Sequence, residues 1–398
     1  MTSSILLPGT RRGTVAVMAA ACGIMVGNIY LCQPLLAQIA ISFGVPESTS
    51  SLVAVATQVG YSFGILMVVP LADMAQPGRL MRWLLALTAT GLAAAAVAPN
   101  VPLLLVACLC FAPVTVVAQI LIPLSTQLAR PEHRGRIVGS LQTGLVLGIL
   151  LSRTFSGITA EMAGSWRTSY ALAAALTAGL FFILPAFVPG KRENLTTTRY
   201  RDLLASMPAL LQHRPLLLSM GMNFFAFGAF TGLWTMLAFH LQTPAFGLGP
   251  AAVGLFGLWG APGVLLSPWA GRLSDRWGSA RVNALAFGFA AAGFLVAGTW
   301  GAASVAGLVV AINLIDFGVQ SGQVANQTRI FALGAEIRGR LNTLYMTATF
   351  FGGALGAFAA GLAWTAAGWT GVCLLCGGMI GVAALLLLGS EIGRRSPA

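Results

Sequence analysis

Charged residues are scarce in this chain of 398 residues, and their scarcity excludes the ordinary soluble classes of protein. Only 8% of the residues are charged and 57% are hydrophobic, whereas soluble domains contain about 25% charged residues. Acidic residues are the least abundant charged group, with ten in the whole chain. The composition therefore predicts an all-α membrane protein rather than a series of soluble domains.

The few cysteines and histidines do not form a recognisable catalytic or metal site. Cys108 and Cys110 are closely spaced, as are Cys373 and Cys376, but no histidine or second cysteine pair accompanies either. Buried thiols in apolar segments are unreactive and pack between helices. A membrane enzyme would need a clustered nucleophile, base or ligand set. We therefore expect no enzyme, no metal and no organic cofactor.

Long apolar runs fill most of the chain. A membrane helix needs about 20 apolar residues. Twelve segments meet this requirement: 14–39, 50–71, 80–98, 101–126, 137–162, 168–188, 215–240, 250–270, 280–299, 302–326, 341–364 and 369–389. The first run is too long for a signal peptide, so we interpret it as a membrane span.

Basic residues lie almost entirely on one side of these spans. All but two of the 22 precede span one, follow span twelve or occupy alternate loops, and the exceptions are Arg153 and Arg167. The positive-inside rule then places both termini in the cytoplasm of a protein in the inner (plasma) membrane. The net charge of +12 is accordingly a topology signal, and we expect no binding of nucleic acid.

The two halves of the chain resemble each other. The motif Arg-Gly-Arg occurs at residues 134–136 and 338–340, and Gly148, Gly157 and Gly164 recur at the same offset as glycines 352, 361 and 368. Such a period indicates an internal duplication, and parallel six-span repeats are one architecture of transporters. We predict an N-terminal six-helix bundle over 1–188, a cytoplasmic central loop over 189–214 and a C-terminal six-helix bundle over 215–398.

Several motifs resemble the major facilitator superfamily over essentially the whole chain. The loop "GRLSDRWGSAR" is similar to the family's signature loop, and "NIYLCQPLL", "RGRIVGSLQTGLVLGILLSRTFSG" and "NQTRIFALGAEIRGRLNTLYM" resemble bacterial drug- or arabinose-efflux-type permeases. The resemblance implies twelve helices arranged as two pseudo-symmetric bundles, with a drug:proton antiporter-like activity. The chain departs from the antiporter pattern, because span four has no arginine and span five lacks the Gly-Pro of the antiporter motif.

The signature loops are candidates for a conformational latch. Their residues are Asp73, Arg79, Gly271, Asp275, Arg276 and Gly278. An aspartate at a helix end can accept hydrogen bonds from a neighbouring helix N-terminus and pair with an arginine. Such pairing would hold the cytoplasmic side in one state. The alternative is that these residues are solvated loop charges.

Span ten carries a polar stripe that is unusual for a membrane helix. Asn313, Asp316, Gln320, Gln323 and Gln327 fall within an arc of about 80° on a helical projection. Polar groups facing lipid are unsatisfied, so the stripe predicts a helix that lines a cavity. Alternatively, these side chains form hydrogen bonds between helices without touching a ligand.

Asp316 is the one acidic residue well inside a predicted span. A charged residue there costs at least roughly 2.5–3.5 kcal/mol. Burial favours the neutral form of a carboxyl group. A carboxyl that takes and loses a proton as its cavity opens to either side is a candidate for proton coupling.

Arg153 in span five is the corresponding basic residue. It lies roughly 24 Å from the cytoplasmic end of its span and Asp316 roughly 15 Å from the end of its own, at about 1.5 Å per residue. That difference in depth disfavours a direct pair. Arg153 could instead bond to Gln142 or Ser156, or bind an anionic group of the substrate.

The full set of predicted substrate-cavity residues is drawn from polar and aromatic side chains inside the spans. They are Tyr30, Gln33, Gln58, Tyr61, Gln119, Arg153, Asn223, Trp234, Asn313 and Gln320.

The sequence favours a secondary active transporter working by alternating access. The leading prediction is proton-coupled efflux of a drug-like or metabolite molecule by a monomer in the lipid bilayer. The first alternative is a proton symporter that imports a small metabolite. A second alternative is a non-transporting sensor, which would usually carry a soluble output domain.

Overall fold

The computed structural model describes residues 13–188, 200–266, 268–334 and 336–395, and long helices account for most of them. They are α1 (Thr14–Phe43), α2 (Glu47–Asp73), α3 (Pro77–Ala96), α4 (Val101–Gln127), α5 (Arg134–Ala163), α6 (Trp166–Ala186), α7 (Arg214–Gln242), α8 (Pro250–Trp277), α9 (Ser279–Gly298), α10 (Val305–Phe331), α11 (338–366) and α12 (369–395). The termini and residues 189–199 of the predicted central loop lie outside the description. The predicted all-α fold with twelve long helices is confirmed.

Ten apolar helical stretches in the described residues are long enough to cross a bilayer. The longest, Arg338–Ser390, contains two of the predicted spans, because the backbone leaves the helical conformation at Ala367 and Gly368. α3 is not among the ten. Its first turns carry Arg79 and Arg82, which lower the hydropathy of an otherwise apolar helix. Counting α11 and α12 separately and adding α3 gives the twelve.

Two glycines that correspond in the sequence repeat follow the fifth and eleventh helices. Gly164 and Gly368 have φ angles of 63° and 57°, which glycine adopts more readily than other residues. Their ψ angles differ, at 14° and −145°. The repeat therefore preserves the glycine and its positive φ, but not the whole backbone conformation at the helix end.

Glycines on α5 and α11 allow each helix to approach its neighbour closely. A Cβ at Gly148 would collide with the backbone of Gly23 in α1. Equivalent collisions would occur between Gly356 and the backbone of Gly228 in α7. The glycine-containing faces of α5 and α11 are thus packing surfaces within each half.

Prolines interrupt several of the membrane helices. Short 3-10 turns containing Pro34 and Pro113 lie inside α1 and α4, and a third, containing Pro185, ends α6. In α8 the helix breaks after Trp259, just before Pro262. Proline lacks the N–H that continues a helix and clashes with the preceding turn. The break in α8 matters most, because it lies beside the polar stripe of α10.

The two halves contact each other on the side predicted to face outward. The C-terminal part of α5 packs on the start of α8, where Glu161 Oε2 accepts a hydrogen bond from Ala251 N at 2.9 Å. At the other edge of the interface between the halves, also on the predicted outer side, a Cβ at Gly361 of α11 would lie 2.7 Å from Ser51 Oγ of α2. Gly157 and Gly361, equivalent in the repeat, therefore both lie at the interface between halves.

A cavity of about 500 Å³ lies between the halves on the side predicted to be cytoplasmic. Its wall includes Asp73 and Gln127 of the first half and Arg340 of the second. The central loop also contributes, because the helix Tyr200–Ala205 lies over the cavity. The Tyr200 hydroxyl donates to the carbonyl of Met67 at 2.6 Å. The halves are thus in contact on the predicted outer side and separated by the cavity on the predicted cytoplasmic side.

Candidate functional site

Arg153 is buried in α5 and is surrounded by side chains from two other helices. Its Nε donates a hydrogen bond of 2.7 Å to Oε1 of Gln33 in α1. Its Cζ lies 3.8 Å from the ring centroid of Trp234 in α7 and 5.0 Å from that of Tyr30. Such cation–π contacts contribute about 2 kcal/mol or more each when desolvated. Aromatic rings and one amide, rather than a carboxylate, therefore hold this cation.

Trp234 connects Arg153 to Asp316. The face of its ring lies against the guanidinium, while its Nε1 donates to Oδ1 of Asp316 at 3.4 Å. Both charged side chains are only 1% exposed. Nη2 of Arg153 and Oδ2 of Asp316 have no hydrogen-bond partner among the described residues. The donor Arg153 Nη2 and the acceptor Asp316 Oδ2 thus lack hydrogen-bond partners at the buried centre. Burial of polar groups without partners is costly.

The break in α8 lies directly beside Asp316. A Cβ at Gly260 would lie 2.8 Å from Asp316 Oδ2, so this position admits only a glycine-sized residue without displacing the carboxylate. Asn313 bridges the break: its Nδ2 donates to the carbonyl of Trp259 at 2.8 Å, and its Oδ1 accepts from Gly263 N at 3.0 Å. Asn313 therefore satisfies backbone groups that lipid cannot.

Gln119 belongs both to the cavity wall and to a hydrogen bond deeper in the first half. It lines the cavity and its Nε2 donates to the hydroxyl of Tyr61 at 3.4 Å. Gln58, one turn before Tyr61 on α2, is buried, and its Oε1 has no partner in the described part of the chain. Tyr61 and Gln119 therefore meet between α2 and α4, and Gln58 lies on the same face of α2 as Tyr61.

A row of aromatic rings continues from Tyr61 to Arg153. The Tyr61 and Phe350 centroids are 4.6 Å apart, and Phe350 lies 5.1 Å from Phe227. Phe227 lies 5.4 Å from Phe230, whose centroid is 5.8 Å from Cζ of Arg153. These rings, from α2, α11 and α7, lead from the hydrogen bond between Tyr61 and the cavity residue Gln119 to Arg153.

The remaining predicted cavity residues lie away from Arg153. Asn223 donates to Oγ1 of Thr349 at 2.7 Å and joins α7 to α11. Gln320 is half-buried on α10. Toward the end of the polar stripe, Gln327 donates to Asn342 at 3.4 Å. The stripe thus bonds to neighbouring helices near both ends and presents Asp316 to the centre.

The predicted latch residues differ between the two signature copies. Asp73 lines the cavity, and Arg79 is exposed in the first turn of α3. Asp275 and Arg276 are exposed and form no hydrogen bond or ion pair with another described residue. The latch stays a prediction for both copies.

The two glycines of the second signature copy have separate roles in the backbone. Gly271 lies 3.5 Å, measured from an ideal Cβ, from Val324 of α10. Gly278 has a φ of 83° and precedes α9. This left-handed turn requires glycine.

Sequence reasoning missed several contributors to the site. Gln33 was expected in the cavity but not as the partner of Arg153, whose predicted alternatives were Gln142 and Ser156. Phe230 lies four residues before Trp234 on the same face of α7, a spacing that could have identified it. Phe350 and Gly260 carry no comparable signal, because they reach the site from separate helices.

Replacing Gln33 with leucine is expected to lower thermal stability. The change removes the acceptor for Arg153 Nε, and a buried unpaired donor costs about 1–3 kcal/mol. Melting temperature in detergent would measure the effect. Gln38→Leu on the same helix is the control, because the Gln38 Oε1 has no partner among the described residues. Equal melting temperatures for the two variants would contradict the assigned hydrogen bond.

Comparison with known proteins gives two uncharacterised bacterial relatives of similar length. The chain is 35% identical over 375 residues to the putative uncharacterized transporter YgaY of Escherichia coli K12, covering 94% of each chain. It is 33% identical over 367 residues to the probable transporter SCO4007 of Streptomyces coelicolor, covering 90% of this chain and 83% of the relative.

Solved transporter structures share the fold at low sequence identity. A point mutant of the nucleoside transporter NupG superposes with a TM-score of 0.75 at 13% identity, covering 94% of this chain and 98% of that one. An inward-facing, occupied bacterial homologue of the human lysosomal transporter Spinster gives 0.72 at 14% identity, covering 96% and 98%. The family description "Major Facilitator Superfamily" matches residues 17–329. The chain therefore belongs to the Major Facilitator Superfamily and is a multi-pass membrane transporter rather than an enzyme.

Proposed function

We propose that the protein is a proton-coupled secondary transporter of a small molecule and that Asp316 carries the proton. The observation that supports this assignment is the open Oδ2 of a buried carboxyl beside a buried arginine. Arg153 and Trp234 favour the charged form of this carboxyl, whereas its burial favours the neutral form. Protonation can therefore follow exposure to either side of the membrane.

Alternating access would move the predicted halves, 1–188 and 215–398, about the central site. Contacts on the predicted outer side, including Glu161 with Ala251, would open as the cavity on the predicted cytoplasmic side closes. The polar centre lies between these regions, and its side chains come from both halves. A proton on Asp316 would thus be taken from one side and released to the other. Both termini would remain cytoplasmic.

The direction of transport has two candidates. Efflux in exchange for protons follows from the resemblance to bacterial efflux permeases. Symport of substrate with a proton has a specific observation in its favour, namely that Arg153 lies against the same indole as Asp316. A substrate group that binds the arginine would stabilise the protonated carboxyl, so that substrate and proton bind together.

Proton movement in reconstituted vesicles tests the proposal. Compounds that raise the melting temperature of the purified protein would be added outside proteoliposomes containing a pH-sensitive dye. Symport predicts that addition acidifies the lumen, whereas exchange predicts that it makes the lumen more alkaline when preloaded protons leave. Transport of a bound compound with no proton movement in either direction would reject proton coupling.

A further inference from the structure

We infer that the substrate is an organic monoanion with an aromatic body, whose anionic group binds Arg153 Nη2 while Asp316 is protonated. This inference rests on the proposed function, because it names the substrate class of the same site. It depends on three features of the centre: an arginine nitrogen without a partner, a row of aromatic rings leading to it, and a carboxyl on the far side of Trp234.

Arg153 has the geometry of an anion-binding group in which one nitrogen lacks a hydrogen-bond partner. One of its nitrogens, Nε, already donates to Gln33 at 2.7 Å. Nη2 is buried and has no partner among the described residues. Hydrogen bonds between a guanidinium and an oxyanion are about twice as strong as neutral ones. The cation is thus oriented by Gln33 and Trp234 and retains a free donor for a ligand.

A second arginine in the same protein has its Nη2 bonded to a carbonyl. Arg167 at the start of α6 also lies against aromatic rings, 4.3 Å from the centroid of Trp166 and 5.3 Å from that of Phe43. Its Nη2 donates to the carbonyl of Ala98 at 2.7 Å, and the side chain is only partly buried. Arg153, by contrast, is buried, and its Nη2 has no acceptor among the described residues.

The row of aromatic rings indicates the chemistry of the rest of the substrate molecule. Tyr61, Phe350, Phe227 and Phe230 form a continuous series of ring contacts from the cavity side to Arg153. A flat apolar or aromatic body can replace some of these ring–ring contacts with its own as it enters. Its charged end would then reach the guanidinium.

Charge at the centre discriminates between ligand classes. Arg153 and Asp316 are both buried at the centre, where each contacts the Trp234 indole, and the Tyr30 ring also lies against the guanidinium. A cationic ligand would be repelled by the arginine. An anion would be attracted by it but repelled by an ionised Asp316. Binding of the anion therefore requires a proton on Asp316, which is drawn from solution wherever the carboxyl is ionised in the free protein.

Matched aromatic probes of different charge test the ligand class. Benzoate and larger aryl monocarboxylates, with the corresponding alcohols and amines, would be titrated into the purified wild-type protein by calorimetry. We expect saturable binding of at least one carboxylate and at least roughly tenfold weaker binding of its alcohol and amine partners. Acetate, which lacks a ring, should bind more weakly than the aryl carboxylates.

Substitution of the arginine locates the binding group. Arg153→Gln should weaken carboxylate binding by roughly 10- to 100-fold, the loss expected for a hydrogen bond between charged groups. Arg167→Gln, the matched control, should leave it unchanged. If Arg153→Gln does not fold, the wild-type comparison of carboxylate, alcohol and amine decides the matter. Carboxylates that bind no better than alcohols or amines, or show no saturation up to about 10 mM, would overturn the inference.

Proton counting separates this inference from the proposed function. Carboxylate binding in weakly buffered solution, measured over a range of pH, should take up as much as one proton per site in the wild type and none in Asp316→Asn. Carboxylate binding at Arg153 without proton uptake at any pH would reject proton coupling and keep the ligand class. Proton movement that requires Asp316 but is driven only by neutral or cationic compounds would reject the ligand class and keep the coupling.

Discussion

Replacing Asp316 with asparagine is expected to abolish proton-coupled transport while the protein remains folded in the membrane. The amide has nearly the same size, and its oxygen can still accept the hydrogen bond from Trp234 Nε1 that Asp316 Oδ1 accepts in the wild type. It cannot, however, take up and release a proton. Substrate-driven pH change in proteoliposomes should fall to the level of protein-free vesicles. Exchange of labelled for unlabelled substrate, which needs no net proton transfer, should continue.

The control for this variant is Glu47→Gln, a carboxyl-to-amide change at an exposed position at the start of α2. It should show wild-type proton movement and wild-type exchange. Full coupling in Asp316→Asn would exclude Asp316 as the proton carrier. Loss of both coupling and exchange, with an unchanged melting temperature, would assign the carboxylate to substrate binding instead.

Gly148→Ala is expected to destabilise the protein by forcing two helices of the first half apart. The new methyl group would collide with the backbone of Gly23 rather than with a movable side chain, so α1 and α5 must separate. Overpacking of a well-packed interface typically costs about 1–3 kcal/mol. Melting temperature in detergent and the yield of monodisperse protein would measure the loss. Separation of α1 from α5 would also displace Gln33 from Arg153.

Gly139→Ala on the same helix is the matched control, because nothing lies within 4 Å of an ideal Cβ there. Alanine is favoured over glycine inside helices by about 0.5–1 kcal/mol, so this variant should be as stable as the wild type or slightly more stable. A Gly148→Ala variant with the same melting temperature as Gly139→Ala would show that α1 and α5 are not in close contact in the folded protein.

Most of the fold could be predicted because a bilayer imposes simple requirements on sequence. Every predicted span corresponds to one of the twelve helices, and the repeated glycines Gly164 and Gly368 both have a positive φ. Helix boundaries were predicted less well. α3 begins at Pro77, before its predicted start, because arginines can occupy the first turn of a membrane helix while the hydropathy pattern excludes them.

The site could be predicted only as a set of separate candidates. Helical phase placed Asp316 on a polar face, and the count of acidic residues made it unusual. Depth along the helix disfavoured a direct pair with Arg153, and these side chains form no direct hydrogen bond. What depth could not reveal is that Trp234, from a third helix, contacts both. No local pattern reports which residues of α1, α5, α7 and α10 meet.

The amino-acid sequence by itself determined that the chain spans the membrane, that it is built from two similar halves and that one acid lies within a span. The hydrophobic runs, the asymmetric distribution of basic residues and the internal repeat can all be read from the order of residues along the chain. Only the tertiary structure decided that Gln33 orients Arg153, that the break in α8 lies beside Asp316 and that Arg153 Nη2 is left open. These contacts depend on how close helices approach one another, which glycines and prolines far apart in the sequence control.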